Sequence, residues 1–351
     1  EVADLDADGR SDIVALTNSG LVIFWHASEQ AVEIVSPDKF HDVEIVDLDG
    51  DGNLDIVARN QSLFGYDNGN AITLFQKKMP TGWSQVSLPV PHGEGLAIAD
   101  IDGDDRPDIV VNGDVLLNPG APAFAHPWRR EHYADDWVWQ DTAISTGDIN
   151  GDGVLDIVLA PAEQAGQTYR ISWFSWRGAG LGGREHVIDA SVEAVHHFVG
   201  VADFNGDGAP DIATAEMNQG DDPDDVTVYL NDGLGATWQK RRIGNHGSHN
   251  MRIVDVDGDF APDLFGANWQ FEDGDAAYPV TLWHNARSQH SESEQAYWPR
   301  IVIDPARPGK ALFIDSADID SDGAIDIVTG GYWYKNPGIP QGNWQRHEIG
   351  E

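Results

Sequence analysis

Seven times along its length this chain repeats one acidic pattern, D-x-[DN]-x-D-x-x-x-D followed by apolar residues. The copies are DLDADGRSDIV from Asp4, DLDGDGNLDIV from Asp47, DIDGDDRPDIV from Asp100, DINGDGVLDIV from Asp148, DFNGDGAPDIA from Asp203, DVDGDFAPDLF from Asp255 and DIDSDGAIDIV from Asp318. Successive copies begin 43 to 63 residues apart. That period is too long for a leucine-rich or ankyrin repeat and suits one four-stranded propeller blade.

The residues around each acidic loop agree with a blade. An apolar or alternating run precedes the loop (VEIVD ending at Asp47, MRIVD ending at Asp255) and another follows it (LDIVA from Leu54). Both read as strands, with the acidic loop as their hairpin. A third run (AITLF from Ala71, RISWF from Arg170, VTVYL from Val226) leads through a Gly/Pro turn such as NPG at Asn336 to a fourth run opened by Trp83, Trp128, Trp238, Trp298 or Trp344. Four strands in seven copies give an all-β seven-bladed propeller, expected as a single domain over 1–351 with blades starting near 1, 41, 94, 142, 197, 249 and 312. The chain opens within the inner strand of blade 1, so it reads as part of a longer secreted protein.

Carboxylates at alternate positions of a tight loop converge on one point, and hard cations take six to eight oxygen ligands. The expected ligands are Asp4, Asp6, Asp8 and Asp12 in blade 1, and Asp47, Asp49, Asp51 and Asp55 in blade 2. Blade 3 offers Asp100, Asp102, Asp104 and Asp108, and blade 4 offers Asp148, Asn150, Asp152 and Asp156. In blade 5 they are Asp203, Asn205, Asp207 and Asp211, in blade 6 Asp255, Asp257, Asp259 and Asp263, and in blade 7 Asp318, Asp320, Asp322 and Asp326. The last acid falls at position nine, not at the twelfth position of an EF-hand, so the reading is structural Ca²⁺ held in β-hairpins. A Gly follows the third ligand everywhere except in blades 3 and 6, where Asp105 and Phe260 replace it. Those two loops are expected to be distorted or empty.

These loops and their spacing resemble the FG-GAP/VCBS repeat family, the calcium-loop propellers of integrin α heads, some lectins and many secreted bacterial proteins. The resemblance implies fold and calcium; the family's functions include adhesion, sugar binding and polysaccharide lysis, so it does not fix an activity. The segments AEMNQGDDPDDVTVYLN and GSHNMRIVDVDGDFAPDLFGANW also look distantly like the propeller of aldos-2-ulose dehydratase, which implies carbohydrate chemistry. The cupin domains of that enzyme have no counterpart here.

If the acidic hairpins lie at one end of the ring, chemistry belongs at the other. Six residues before each loop stand His41, Glu94, Thr142, His197, His249 and Leu312, at the start of successive inner strands. Three imidazoles at equivalent positions point to the channel mouth, with His92 close by. They suit either a general base or an additional divalent metal ion. Loops between the second and third strands add Arg59, Glu163, Glu216, Asn218, Asn268, Trp269, Tyr332 and Trp333, and the connection into blade 4 adds Trp139 and Asp141. Aromatic faces beside acids and amides suit an oligo- or polysaccharide.

Two functions fit. In a carbohydrate lyase or dehydratase, His197, His249 or His41 removes the proton α to a carbonyl group, Arg59 stabilises the developing charge and Tyr332 assists the leaving group. Trp139, Trp269, Trp333, Glu216, Asn218, Asn268, Asp141 and His92 would then bind the substrate. In the alternative, a calcium-dependent glycan-binding or adhesion module, the same groups bind without turnover.

Composition narrows the partners. The formal charge of -38 opposes nucleic acid and anionic membranes. The absence of cysteine removes disulfides and thiol catalysis, and no apolar run is long enough to span a membrane. Four positions in seven loops, less Asn150 and Asn205, account for 26 of the 59 acidic residues. Much of the charge is therefore a repeated site, in a protein expected outside the cell or in the periplasm.

Overall fold

The computed structural model describes residues 1–27, 32–60, 70–78, 82–178, 180–217, 219–221, 223–267, 279–286, 298–309 and 313–349. They form seven four-stranded antiparallel sheets, each built from four consecutive strands. The inner strands are Val2–Ala3, Asp42–Val46, Ala97–Ala99, Thr142–Gly147, His196–Ala202, Asn250–Val254 and Ile314–Ala317. Inner strands of neighbouring sheets touch one another around the ring, so they line the channel. The fold is a seven-bladed β-propeller with no α-helix among the described residues, only a 3-10 turn at Trp25–Ala27.

The second strand of each blade explains the apolar runs after the loops. Sandwiched between two neighbouring blades, it is buried on both faces, and an unbroken apolar run satisfies both. Ile56 packs towards blade 1 with Val14, Ile23 and Phe75, while Val57 packs towards blade 3 with Leu48, Ile109 and Leu116. The outer strand has one wet face, so Trp83–Pro89 alternates half-buried with exposed residues.

The core is accordingly seven separate interfaces, one between each pair of blades. The seventh closes the ring: Ile13, Ala15, Val22 and Phe24 of blade 1 pack on Val328 and Ile349 of blade 7. No strand is exchanged there, and side-chain burial at about 1.5–3 kcal/mol per large residue holds the seam. Trp128, Trp238 and Trp344, at the start of outer strands, pack into these interfaces, as their repetition suggests.

Candidate functional site

At one end of the ring stand the seven acidic hairpins, which share one hydrogen-bond plan. The first Asp accepts two loop amides, as when Asp8 N–H and Gly9 N–H donate to Asp4 at 3.0 and 2.8 Å. The third ligand accepts the amide two residues on, from Arg10 to Asp8 at 2.9 Å through Ala324 to Asp322 at 3.0 Å. The ninth-position Asp is buried and accepts the amide of position two, at 3.0 Å from Leu5 to Asp12 and 3.2 Å from Leu48 to Asp55. Burial pushes Asp55, Asp156 and Asp263 up to about 7. Carboxylate oxygens of Asp4, Asp6 and Asp8, and of Asp47, Asp49 and Asp55, gather within 4.8 Å of one another. This oxygen-rich set fits a hard cation.

Each hairpin needs a left-handed backbone at two positions, not one. Position six is Gly in five blades; Asp105 and Phe260 adopt it anyway at φ 63 in both. Their amides still donate to Asp100 and Asp255 at 2.8 and 2.9 Å, as the glycines do elsewhere. The expected distortion of blades 3 and 6 is absent, because the loop bonds hold a conformation costing about 1–2 kcal/mol. Position four is Gly in blades 2 to 6, but Ala7 and Ser321 carry φ 59 and 60 in blades 1 and 7. Only blades 2, 4 and 5 have glycine at both.

The turn asparagines do more than turn. Asn118, Asn231, Asn285 and Asn336 each donate Nδ2–H to a loop carbonyl of the preceding blade, Leu48, Ile149, Phe204 and Val256, at 2.8–2.9 Å. Their own amides donate to the ninth-position Asp at 2.6–2.8 Å. In blade 2, Lys77 makes the corresponding bond to the Leu5 carbonyl. Neighbouring hairpins are thereby stapled together.

At the opposite end, residues from five successive blades meet. His41 Nδ1 lies 3.2 Å from Asp42 Oδ1, and its Nε2 lies 3.3 Å from Glu94 Oε1. His197 Nε2 stands 3.4 Å from Glu94 Oε2 and 3.1 Å from Glu163 Oε1. Its Nδ1 faces the His249 carbonyl at 3.0 Å. The His249 ring stacks on His197 with centroids 4.0 Å apart, and its Nδ1 is 2.9 Å from the Asn250 amide nitrogen.

Local sequence explains the placement of both glutamates. In HGEG, Gly93 and Gly95 lie so close to blade 4 that a Cβ would come within 2.1 Å of the Gln140 carbonyl and 2.0 Å of the Thr142 carbonyl. That close approach lets Glu94 bridge to Asp141 and sends a carboxylate only 3% exposed into the mouth. Glu163 sits on the tight turn between the second and third strands of blade 4 with φ 71, a strained state for a non-glycine residue.

Charge is tightly coupled. Burial alone would lower His41, but the Asp42 and Glu94 carboxylates outweigh it and hold it at about 9. Burial of His197 is likewise outweighed by hydrogen bonds to Glu163 and Glu94, which hold it at about 10. Burial, then the positive charge of His197 and His41, pushes His249 well down. Against burial, His41 holds Asp42 at about 2, while burial followed by Glu94 and Glu163 raises Asp141 to about 6.

The structure redistributes the residues chosen from sequence. His41, His197 and His249 converge, with Asp141 beside them. His197 is not a free base, because both of its nitrogens face acceptors. Arg59 is not available to a ligand: it is fully buried and donates to the Gly95 and Pro91 carbonyls and, at 2.7 Å, to Asn112 Oδ1, bracing blade 2 against blade 3. Tyr332 packs between blades 6 and 7 under the Arg346 guanidinium, 5.1 Å from its ring centroid. Trp333 packs in the blade 1–7 seam and stacks on His347 at 4.2 Å. Third-strand side chains enter interfaces, which removes both aromatics from the assigned roles.

Glu216 accepts the Asp225 amide at 2.6 Å and lies 3.6 Å from the buried His196, so it braces its own loop. His92 Nδ1 is 3.2 Å from Asn70 Oδ1. Trp139 is half-buried beside Tyr169, its indole N–H donating to the Ala162 carbonyl at 2.8 Å next to Glu163. Asn218, Asn268 and Trp269 lie outside the described residues, as does Leu312. The sequence reading missed Asp42 and gave Glu94 no role, although the glycines flanking Glu94 were a signal. It also missed a polar group of Glu1, Glu44, Arg252 and Asp315, in which Arg252 donates to Glu1 at 2.9 Å.

No helix of the described residues is long and apolar enough to cross a membrane. No curated protein matches this chain. Among solved structures it is similar to the crystal structure of the V. cholerae biofilm matrix protein Bap1. The two are 10% identical, the likeness covers 93% of this chain and 72% of that one, and the TM-score is 0.42. The FG-GAP-like repeat family matches residues 4–58, 47–111, 148–214 and 203–266. Each span runs from one acidic hairpin through the second strand of the next blade, and together they cover well over half the chain, which therefore belongs to the FG-GAP-like repeat family.

Proposed function

We propose that this chain is an extracellular, calcium-stabilised propeller that binds carbohydrate at its histidine-bearing mouth. The observation that carries the reading is the meeting of Glu94, Asp141, Glu163, His41, His197 and His249 at one end of the channel, with Trp139 at its side. Fixed carboxylates and imidazoles suit a hydroxyl-rich ligand, and an aromatic face suits the apolar side of a sugar ring. Calcium is assigned to the opposite hairpins, where carboxylates and loop carbonyls supply hard oxygen donors. When bound it cross-links both strands of each hairpin and offsets charge, seven ions bringing the formal net from -38 to about -24.

Glycan-array screening followed by calorimetry tests the reading. A sugar recovered unchanged, with affinity at least about tenfold weaker in Trp139→Ala and Glu163→Gln, supports it; affinity untouched by both substitutions overturns it.

The left-handed Glu163 favours a second reading, since strain at a titratable residue gathers at reactive sites. In that reading the protein is a uronate lyase: His249 takes the proton α to the carboxylate, the β C–O bond breaks, and the leaving oxygen gains a proton. An unsaturated product absorbing at 235 nm, lost in His249→Ala, would replace binding by turnover. Inactivity on a broad panel of uronic-acid polymers would remove this alternative.

A further inference from the structure

The mouth cluster has the construction of a metal centre. We infer that His41 Nε2, Glu94, His197 Nε2 and Glu163 bind one divalent transition-metal ion of the Zn²⁺ class, chemically distinct from the calcium loops. This goes beyond the sugar reading and does not depend on it.

Three features carry the inference. The first is spacing. An ion held at about 2.0–2.2 Å by nitrogen and oxygen donors puts neighbouring donors roughly 3.0–3.5 Å apart. The adjacent pairs here are 3.3 Å (His41 Nε2 to Glu94 Oε1), 3.4 Å (His197 Nε2 to Glu94 Oε2) and 3.1 Å (His197 Nε2 to Glu163 Oε1), so Glu94 turns one oxygen to each imidazole. Ligand atoms of His41, Glu94 and His197 all lie within 4.8 Å of one another.

The second is the outer shell. Metal-binding imidazoles donate the other ring N–H to a carboxylate or carbonyl, which fixes the tautomer and aims the remaining lone pair at the ion. Both histidines are held this way, His41 by Asp42 at 3.2 Å and His197 by the His249 carbonyl at 3.0 Å. His249 supplies that carbonyl, its Nδ1 faces the Asn250 side-chain amide, and one of its ring nitrogens lies within 4.8 Å of ligand atoms of Glu163 and His197.

The third is charge. With each histidine neutral, as a ligand must be, the mouth holds the carboxylates of Asp42, Glu94, Asp141 and Glu163, with the Arg59 guanidinium the cation beside Asp42, Glu94 and Asp141. A divalent ion balances most of that charge. Two imidazole nitrogens with carboxylate oxygens prefer a borderline transition metal to Ca²⁺, whose sites take oxygen alone.

The experiment titrates Co²⁺ into the whole chain in excess calcium, so that the loops stay saturated, and follows visible d–d absorption with calorimetry. One Co²⁺ per chain, displaced by Zn²⁺ and weakened at least about tenfold in both His41→Ala and Glu163→Gln, supports the site. Because His197→Ala removes a side chain packed in the channel wall, the conservative His197→Gln, checked for its fold by circular dichroism, is the confirming variant. No stoichiometric Co²⁺ or Zn²⁺ binding in excess calcium overturns the inference, as does binding that all three variants leave unchanged. Sugar binding is measured separately, so loss of one result leaves the other standing.

Discussion

The two ends of this ring are built on opposite plans. At the hairpin end, one nine-residue device occurs seven times, and each copy closes within its own blade, four of them also taking an asparagine staple from the next. At the mouth no bonding plan repeats, although His41, Glu94, His197 and His249 stand at equivalent positions: blade 2 gives His41, blade 3 Glu94, blade 4 Glu163, blade 5 His197 and blade 6 His249. The difference teaches where to seek stability and where to seek chemistry. Repetition serves a demand common to every blade, closing a hairpin and tying it to its neighbour. A break from repetition marks a demand made only once.

Four measurements would break or sharpen that contrast, beginning with the largest effect. Chelation of calcium is expected to lower the melting temperature steeply and reversibly, because a single site at a hundred times its Kd already contributes about 2.7 kcal/mol. An unchanged melt in EDTA would leave the hairpin end without its proposed ion. Next, Arg59→Met is expected to cost about 3 kcal/mol in urea unfolding, since it leaves nearby buried acids without their cation. Sugar affinity in the folded fraction should hold, whereas a selective loss of binding would return Arg59 to the site.

A smaller loss, about 2 kcal/mol, is expected for Asn285→Ala, which leaves the Phe204 and Pro262 carbonyls without a donor in a buried position. A neutral substitution would show that the staple is idle. The smallest effect runs the other way. Ser321→Gly and Phe260→Gly relieve left-handed strain and should stabilise the calcium-loaded protein by about 0.5–1 kcal/mol each, read as a rise in urea midpoint. The reverse change, Gly52→Ala at φ 87, should destabilise.

Legibility followed the same division. The hairpins could be read because their bonds run between residues two to seven positions apart, so the spacing of the acids already encodes the geometry. Counting back from them also reached His41, His197 and His249. The reading weakened as soon as a side chain's role depended on its neighbour in the ring. Arg59 and Tyr332, read from the sequence as loop residues, lie in the second strand of blade 2 and the third strand of blade 7, where the adjoining blades bury or cover them. Glu94 carried a signal in its flanking glycines, but their purpose, a close approach to Gln140 and Thr142, involves a segment some fifty residues further on. Glycine also misled in blades 3 and 6, where hydrogen bonds hold Asp105 and Phe260 in the conformation glycine would take unaided.

The sequence by itself determined the all-β blade, its number and the acidic hairpins, because each is a local pattern multiplied by repetition. Only the tertiary structure decided which charges meet. The mouth assembles from segments about fifty residues apart whose proximity is created by seven apolar interfaces closing a circle, and burial there decides which groups are braces and which face the channel.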